Sequence, residues 1–167
     1  MTRNAFTRLA AVTLLATATA TAGLAAPADA ASGSTPEQVC GSGFNTVALG
    51  RMPVADQTNT VRGHVYLLYS PYTGEHCVVT IKSDFVGTSS RVTATLLVQS
   101  VAFIAPRKVE DLGNFKYYAG PVKVNAKGRC VSFKGTISLP GSAVQASGGW
   151  SGYGDCGRQP SRQRGLR

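Results

Sequence analysis

From Phe44 onward the chain alternates short β-branched and aromatic runs with clusters of turn formers. FNTVAL (44–49), HVYLLYS (64–70), HCVVTIK (76–82), RVTATLLVQ (91–99), FKYYA (115–119), PVKVN (121–125) and RCVSFKGTIS (129–138) read as strands. SPYTG, VGTSS, NAKG and LPGS between them read as turns. Beyond the N-terminal leader, no segment keeps a helical period long enough to predict a helix. About seven short strands at this spacing predict an all-β domain, an antiparallel β-sandwich or a small barrel.

The hairpin in GHVYLLYSPYTGEHCVVTIKS can be read in register. With residues 71–74 as a four-residue loop built around a type I turn, Ser70 faces Glu75 and paired residue numbers sum to 145. His64 then lies opposite Ile81, His76 opposite Tyr69 and Cys77 opposite Leu68. One face of the hairpin carries Tyr66, Leu68, Val79 and Ile81, and the other carries Val65, Leu67, Tyr69, Val78 and Thr80. A strand pair apolar on both faces is predicted to be covered on both sides. A cysteine on the first face suits a buried staple.

The ends differ from this body. Residues 1–30 combine Arg3 and Arg8, an apolar Ala-rich run and Ala28-Asp29-Ala30, the three parts of a secretory signal peptide. The run is too short and too rich in Ala and Thr to span a bilayer, so no membrane span is predicted. Residues 31–39 read as a polar lead-in, 40–157 as a single β domain and 158–167 as a basic disordered tail. Without residues 1–30 the chain holds 15 basic and 7 acidic residues, a net of +8. Four of these charges are Arg158, Arg162, Arg164 and Arg167. Such a tail can draw the protein toward anionic polymers of a cell envelope by Coulomb attraction, or serve only to solubilise it.

Cys40, Cys77, Cys130 and Cys156 all follow the leader. An even number of cysteines in an exported chain predicts two disulfides. Three connectivities are open, and Cys40–Cys77 with Cys130–Cys156 is the one expected.

Candidate chemistry is sparse. His64 and His76, the two histidines, lie five rungs apart in the hairpin, about 17 Å at roughly 3.3 Å per residue. Zinc needs its ligand atoms near 2 Å from one ion, so the pair cannot share a metal. Glu75 adjoins His76 but points to the opposite face, and no Gly-x-Ser-x-Gly is present. Glu110-Asp111 read as part of a loop. No catalytic, cofactor or metal residues are predicted, and each histidine is expected to be hydrogen-bonded or solvent-facing. In NFKYYAGPVKV, Tyr118 with Lys116 and Lys123 is a possible surface-binding patch, because aromatic faces stack on sugars or bases. ASGGWSGYGDC reads as a Gly-rich loop whose Trp150 plugs one end of the core.

Four stretches resemble the spore-associated protein A family. They are CGSGF (40–44), VYLLYSPYTGEHCVVTIK (65–82), GNFKYYAGPVKV (113–124) and GRCVSFKGTI, together with Asp155-Cys156. The resemblance covers roughly Cys40 to Cys156. It implies a small extracellular protein of filamentous, spore-forming Gram-positive bacteria, found with the spore or aerial-cell surface, with no catalytic residues to carry over. Two features depart from the family pattern: the basic tail is additional, and Phe133 stands where a Trp is expected after the third cysteine.

Together these readings predict a secreted, non-catalytic, disulfide-stabilised β protein of the spore or cell-envelope surface, monomeric and without cofactor. Its predicted partners are anionic envelope polymers or the spore surface, with no specific nucleic acid. Two alternatives remain. One is a protease inhibitor displaying Arg51-Met52-Pro53 or Ala105-Pro106-Arg107-Lys108 on loops. The other is a small hydrolase using His76.

Overall fold

The computed structural model describes residues 33–156; the predicted leader and basic tail lie outside them. One short helix and eight strands follow in order. They are α1 (Pro36–Cys40), β1 (Asn45–Ala55), β2 (Val61–Ser70), β3 (Glu75–Lys82), β4 (Ser90–Val98), β5 (Arg107–Phe115), β6 (Tyr118–Asn125), β7 (Val131–Ser138) and β8 (Gln145–Asp155). The strands form one antiparallel sheet in the order β5-β4-β7-β8-β1-β2-β3-β6, curled into a nearly closed barrel.

Two seams divide the barrel. β1 and β8 pair only at Ala55 and Ser147. β5 and β6 meet through a side chain, where Asp111 Oδ2 accepts from the Gly120 amide at 2.6 Å. The barrel is therefore two four-stranded halves, β1-β2-β3-β6 and β5-β4-β7-β8. Gly148 lies where β8 crosses β1. A Cβ there would collide with the Pro53 carbonyl, so the close approach requires glycine.

The all-β expectation holds, but the strand count is eight rather than about seven. β8 was hidden because its Gly-rich composition reads as loop, yet those glycines are what let it lie against its neighbours. β5 contains the Glu110-Asp111 pair that was expected in a loop. Its apolar signal is weak because most of its residues are exposed or only half-buried. The predicted strands 115–119 and 121–125 are the end of β5 and one continuous β6. Helix α1 starts in the predicted polar lead-in and ends at Cys40, the first residue of the predicted β domain. Five residues carry no readable period, but Thr35 and Gln38 close a capping box around Pro36, with Thr35 Oγ1 accepting from the Gln38 amide at 3.2 Å.

The β2–β3 register is the predicted one, from Gly63 with Lys82 to Ser70 with Glu75. Both hairpin faces are covered, as their composition requires. Val65, Leu67 and Val78 point into the barrel and join Leu96, Phe133 and Ile137 in the main core. Leu68, Cys77 and Val79 point outward into a second cluster with Cys40 and Phe44, edged by Tyr66, Ile81 and Tyr118. The chain's own N-terminal segment thus forms the lid of this half. Cys40–Cys77 bonds that lid to β3, and Cys130–Cys156 ties β8 back to the start of β7. Both are the expected pairs.

Candidate functional site

The barrel's two ends are built differently. At the end near Ala55 and Lys82, Asp56 folds the β1–β2 turn around its carboxylate. Oδ1 accepts from the Thr58 amide, the Thr58 hydroxyl and the Thr60 amide, while Oδ2 accepts from Arg62 Nε and Nη2 at 3.0 and 2.8 Å. Arg62 also donates to Asp84. The Thr58 hydroxyl first, and Arg62 next, hold the Asp56 carboxyl far below its ordinary range. Buried Lys82 donates to Thr88 O at 2.7 Å and Ser90 Oγ at 3.0 Å, and burial lowers its pKa. Asp56, Arg62, Asp84 and Lys82 thus all have polar partners at this end.

The opposite end is open. β1 bulges by three residues relative to β2 between Thr46 and Arg51, and Leu49 there has φ 59° and is 69% exposed. The bulge draws β1 away from β8 and leaves a cavity of about 220 Å³. Leu67, Val131 and Phe133 contribute the apolar core side of this cavity, with Leu49 and Trp150 at its walls and Asp155 as its one charged lining residue. Trp150 is 41% exposed rather than a core plug. Its indole lies along Gly152 and Gly154 of its own strand, whose missing side chains make room for it.

Behind Asp155 sits His76. Its ring is fully buried, tilted against Tyr69 at 4.8 Å between centroids, with Nε2 donating to Asp155 Oδ1 at 2.7 Å. The other ring nitrogen, Nδ1, is buried with no hydrogen-bond partner among the described residues. His76 is thus hydrogen-bonded, as expected of it, but through one ring nitrogen. The pair is 79 residues apart in sequence, and each member immediately precedes a disulfide cysteine. A test of His76 against its neighbour Glu75 could not find it; the shared placement before a cysteine is the one signal the sequence offers. Chemically the arrangement is a histidine oriented by a carboxylate, the outer two-thirds of a nucleophilic triad. The remaining third is not found among the described residues, where no hydroxyl or thiol is hydrogen-bonded to Nδ1.

The second histidine is elsewhere. His64, on the outer face of β2, accepts from Arg51 Nη2 at 3.2 Å, so its Nε2 carries no proton. Burial, and then Arg51, lower its pKa. Among the described residues no group of three or more His, Cys, Asp or Glu is placed to hold a metal.

The predicted patch residues are spread along β6 and the turn before it. Tyr118 is half-buried against the outer cluster, opposite Ile81. Lys123, opposite Cys77, holds its ammonium 5.1 Å from the centre of the Phe44 ring. Lys116 is exposed in the β5–β6 turn, its carbonyl accepting from the Gly87 amide. The Arg51-Met52-Pro53 stretch expected on a loop lies within β1, paired to Tyr66, Val65 and His64. Of the second stretch, Arg107 and Lys108 already belong to β5.

A different surface was missed altogether. Outward-facing positions of β5-β4-β7-β8 form a broad groove rather than a covered core. Two hollows of about 470 and 460 Å³ lie along it and share Leu97 and Lys134. Hydroxyls line its floor, with Thr93 and Thr136 hydrogen-bonded to each other at 2.7 Å and Thr95 donating to Glu110 at 3.2 Å. Half of this surface comes from β5 and β8, the two strands the composition hid.

No protein-family profile matches the chain, and no solved structure matches it. The chain is similar to Spore-associated protein A of Streptomyces coelicolor, with 38% identity over 99 residues. Those residues are 59% of this chain and 56% of that protein, so the match spans little more than half the relative's length. This relative supports the resemblance to a spore-associated protein A-like family. No helix of the described residues is long and apolar enough to cross a membrane.

Proposed function

We propose that this chain is an exported, non-catalytic barrel protein of the spore or cell-envelope surface. The observation that carries the reading is the use of all four cysteines in two disulfides, one fixing the lid and one fixing β8. Such bonds form and persist in oxidising compartments and stabilise a domain where no chaperone or reductant maintains it. The similarity to a protein named for its association with spores points the same way. The non-catalytic part of this reading is supported by His76, whose buried ring meets a carboxylate at Nε2 and no hydrogen-bond partner at Nδ1 among the described residues. In this reading, His76–Asp155 is a polar clasp between β3 and β8 across the open end.

Fractionation of sporulating cultures tests the reading. The chain is expected in the envelope and spore-surface fractions with no free thiols. Recovery from the cytosol with titratable thiols would refute it. Hydrolase substrate panels provide the second arm, with the expectation of no turnover. Turnover that is abolished by His76→Gln in a normally folded variant would show that the clasp is catalytic.

A further inference from the structure

The two halves of the barrel have outer faces of opposite character. That of β1-β2-β3-β6 is apolar and covered by α1 and Phe44. That of β5-β4-β7-β8 is polar, with no element of the described chain laid across it. Its rungs can be read from the registers. Glu110, Thr95, Lys134 and Gly149 form one row across the four strands, and Leu112, Thr93, Thr136 and Ser147 form the next. Gly149 lies tight against the β7 backbone, where a Cβ would collide with the Phe133 carbonyl and Lys134 Cα. Tyr153, 42% exposed, lines one hollow, and Arg91 lines the other. From Arg91 to Leu97 the face runs about 20 Å along β4 at ~3.3 Å per residue.

The charges select an occupant. Lys108 is paired with Glu110 at 2.7 Å, and Lys108 is the first cause of the lowered Glu110 pKa. Arg91 acts on Glu110 only through space, and neither it nor Lys134 has a salt-bridge partner among the described residues, so three cations face one carboxylate along the groove. Hydroxyl side chains both donate and accept, matching the hydroxyls of a sugar, and an exposed tyrosine offers a ring for a sugar face. The chain's own basic C-terminal residues have the wrong sign to fill the site. Nucleic acid, with a phosphate at every residue, would call for a denser row of cations.

We propose that this groove binds a linear anionic polysaccharide, with Lys134 and Arg91 taking its acidic groups, the threonine floor its hydroxyls and Tyr153 one sugar ring. The inference rests on the envelope reading only for where the polymer is met. Binding itself is tested separately, by titrating the purified, disulfide-intact chain with polygalacturonate and with neutral dextran of similar length.

Polygalacturonate is expected to bind with an affinity that falls as salt rises, and dextran to bind far more weakly. Lys134→Glu should weaken polygalacturonate binding by roughly tenfold or more, the worth of a charge-assisted hydrogen bond. Tyr153→Ala should weaken it by about three- to tenfold. Lys127→Glu, an equal charge change in the β6–β7 turn, should leave it within about twofold. Equal losses for Lys134→Glu and Lys127→Glu would reduce the effect to net charge and overturn the groove. So would loss of binding on replacing Arg162 and Arg164 by Ala while Lys134→Glu binds normally, or tighter binding of single-stranded DNA at the same residues. An envelope-localised protein that fails this titration would lose the groove but keep its location. A cytosolic protein that passes it would do the reverse.

Discussion

The β1-β2-β3-β6 half and the β5-β4-β7-β8 half of this barrel share one interior but treat their outer faces in opposite ways. The first buries Leu68, Val79 and a disulfide beneath its own N-terminal segment. The second turns threonine, lysine and arginine outward, the threonines packed low between their neighbours and Arg91 and Lys134 exposed above them. A sheet apolar on both faces must find cover, and here the chain supplies it covalently. A face of short hydroxyls over a buried core needs none, because strand pairing satisfies the backbone and the hydroxyls bond to one another and to Glu110. The covered half is therefore the place to look for stability, and the bare half for encounter.

Removing the covalent bond of the lid should break the comparison most severely. Cys40→Ala with Cys77→Ala opens a loop of 37 residues and is expected to cost roughly 4 kcal/mol on the loop-entropy estimate. Calorimetry of that variant beside the intact chain measures it. A loss under about 1 kcal/mol would mean the lid holds by packing alone. Next comes a pair of truncations. Leu68→Ala beneath the lid should cost about 2–4 kcal/mol, whereas Thr95→Ala on the bare face should cost under about 1 kcal/mol. Similar denaturation midpoints for the two would erase the distinction between halves.

Acid sharpens the same contrast. Asp56 in the covered half and Glu110 in the bare half both titrate below their ordinary values of 3.8 and 4.5. The unfolded chain takes up these protons at higher pH than the folded one. Their stabilisation is therefore complete above about pH 5 and lost as pH falls through the folded values. Asp56→Asn should flatten the acid limb of a stability–pH curve more than Glu110→Gln does, because its carboxylate is held by more donors. The opposite ranking would place the acid-sensitive anchor in the wrong half.

Much of the covered half was legible in the sequence. Alternation in VYLLYS and HCVVTI gives both hairpin faces, the PYTG turn fixes the register, and Cys77 lands opposite Leu68 as the sum of 145 requires. In the bare half β4 and β7 were equally legible, as RVTATLLVQ and RCVSFKGTIS, but β5 and β8 were hidden. RKVEDLGNF makes a strand by pairing with β4, not by apolar period, and QASGGWSGYGD makes one because glycine permits close crossing with β1. The His76–Asp155 contact joins opposite ends of the domain and depends on how the barrel closes. Alternation reads one hairpin at a time, so it could exclude His76 with Glu75 but could not propose Asp155.

The central claim is that the uncovered β5-β4-β7-β8 face meets the envelope while the lidded face does not. Acetylation of lysines with an N-hydroxysuccinimide ester, on free protein and on protein bound to isolated spore envelopes, tests it most directly. Lys134 and Lys108 are expected to lose reactivity on binding, with Lys123 and Lys127 labelled as in the free protein. Protection of Lys123 and Lys127 instead, or unchanged labelling at all four, would contradict the account.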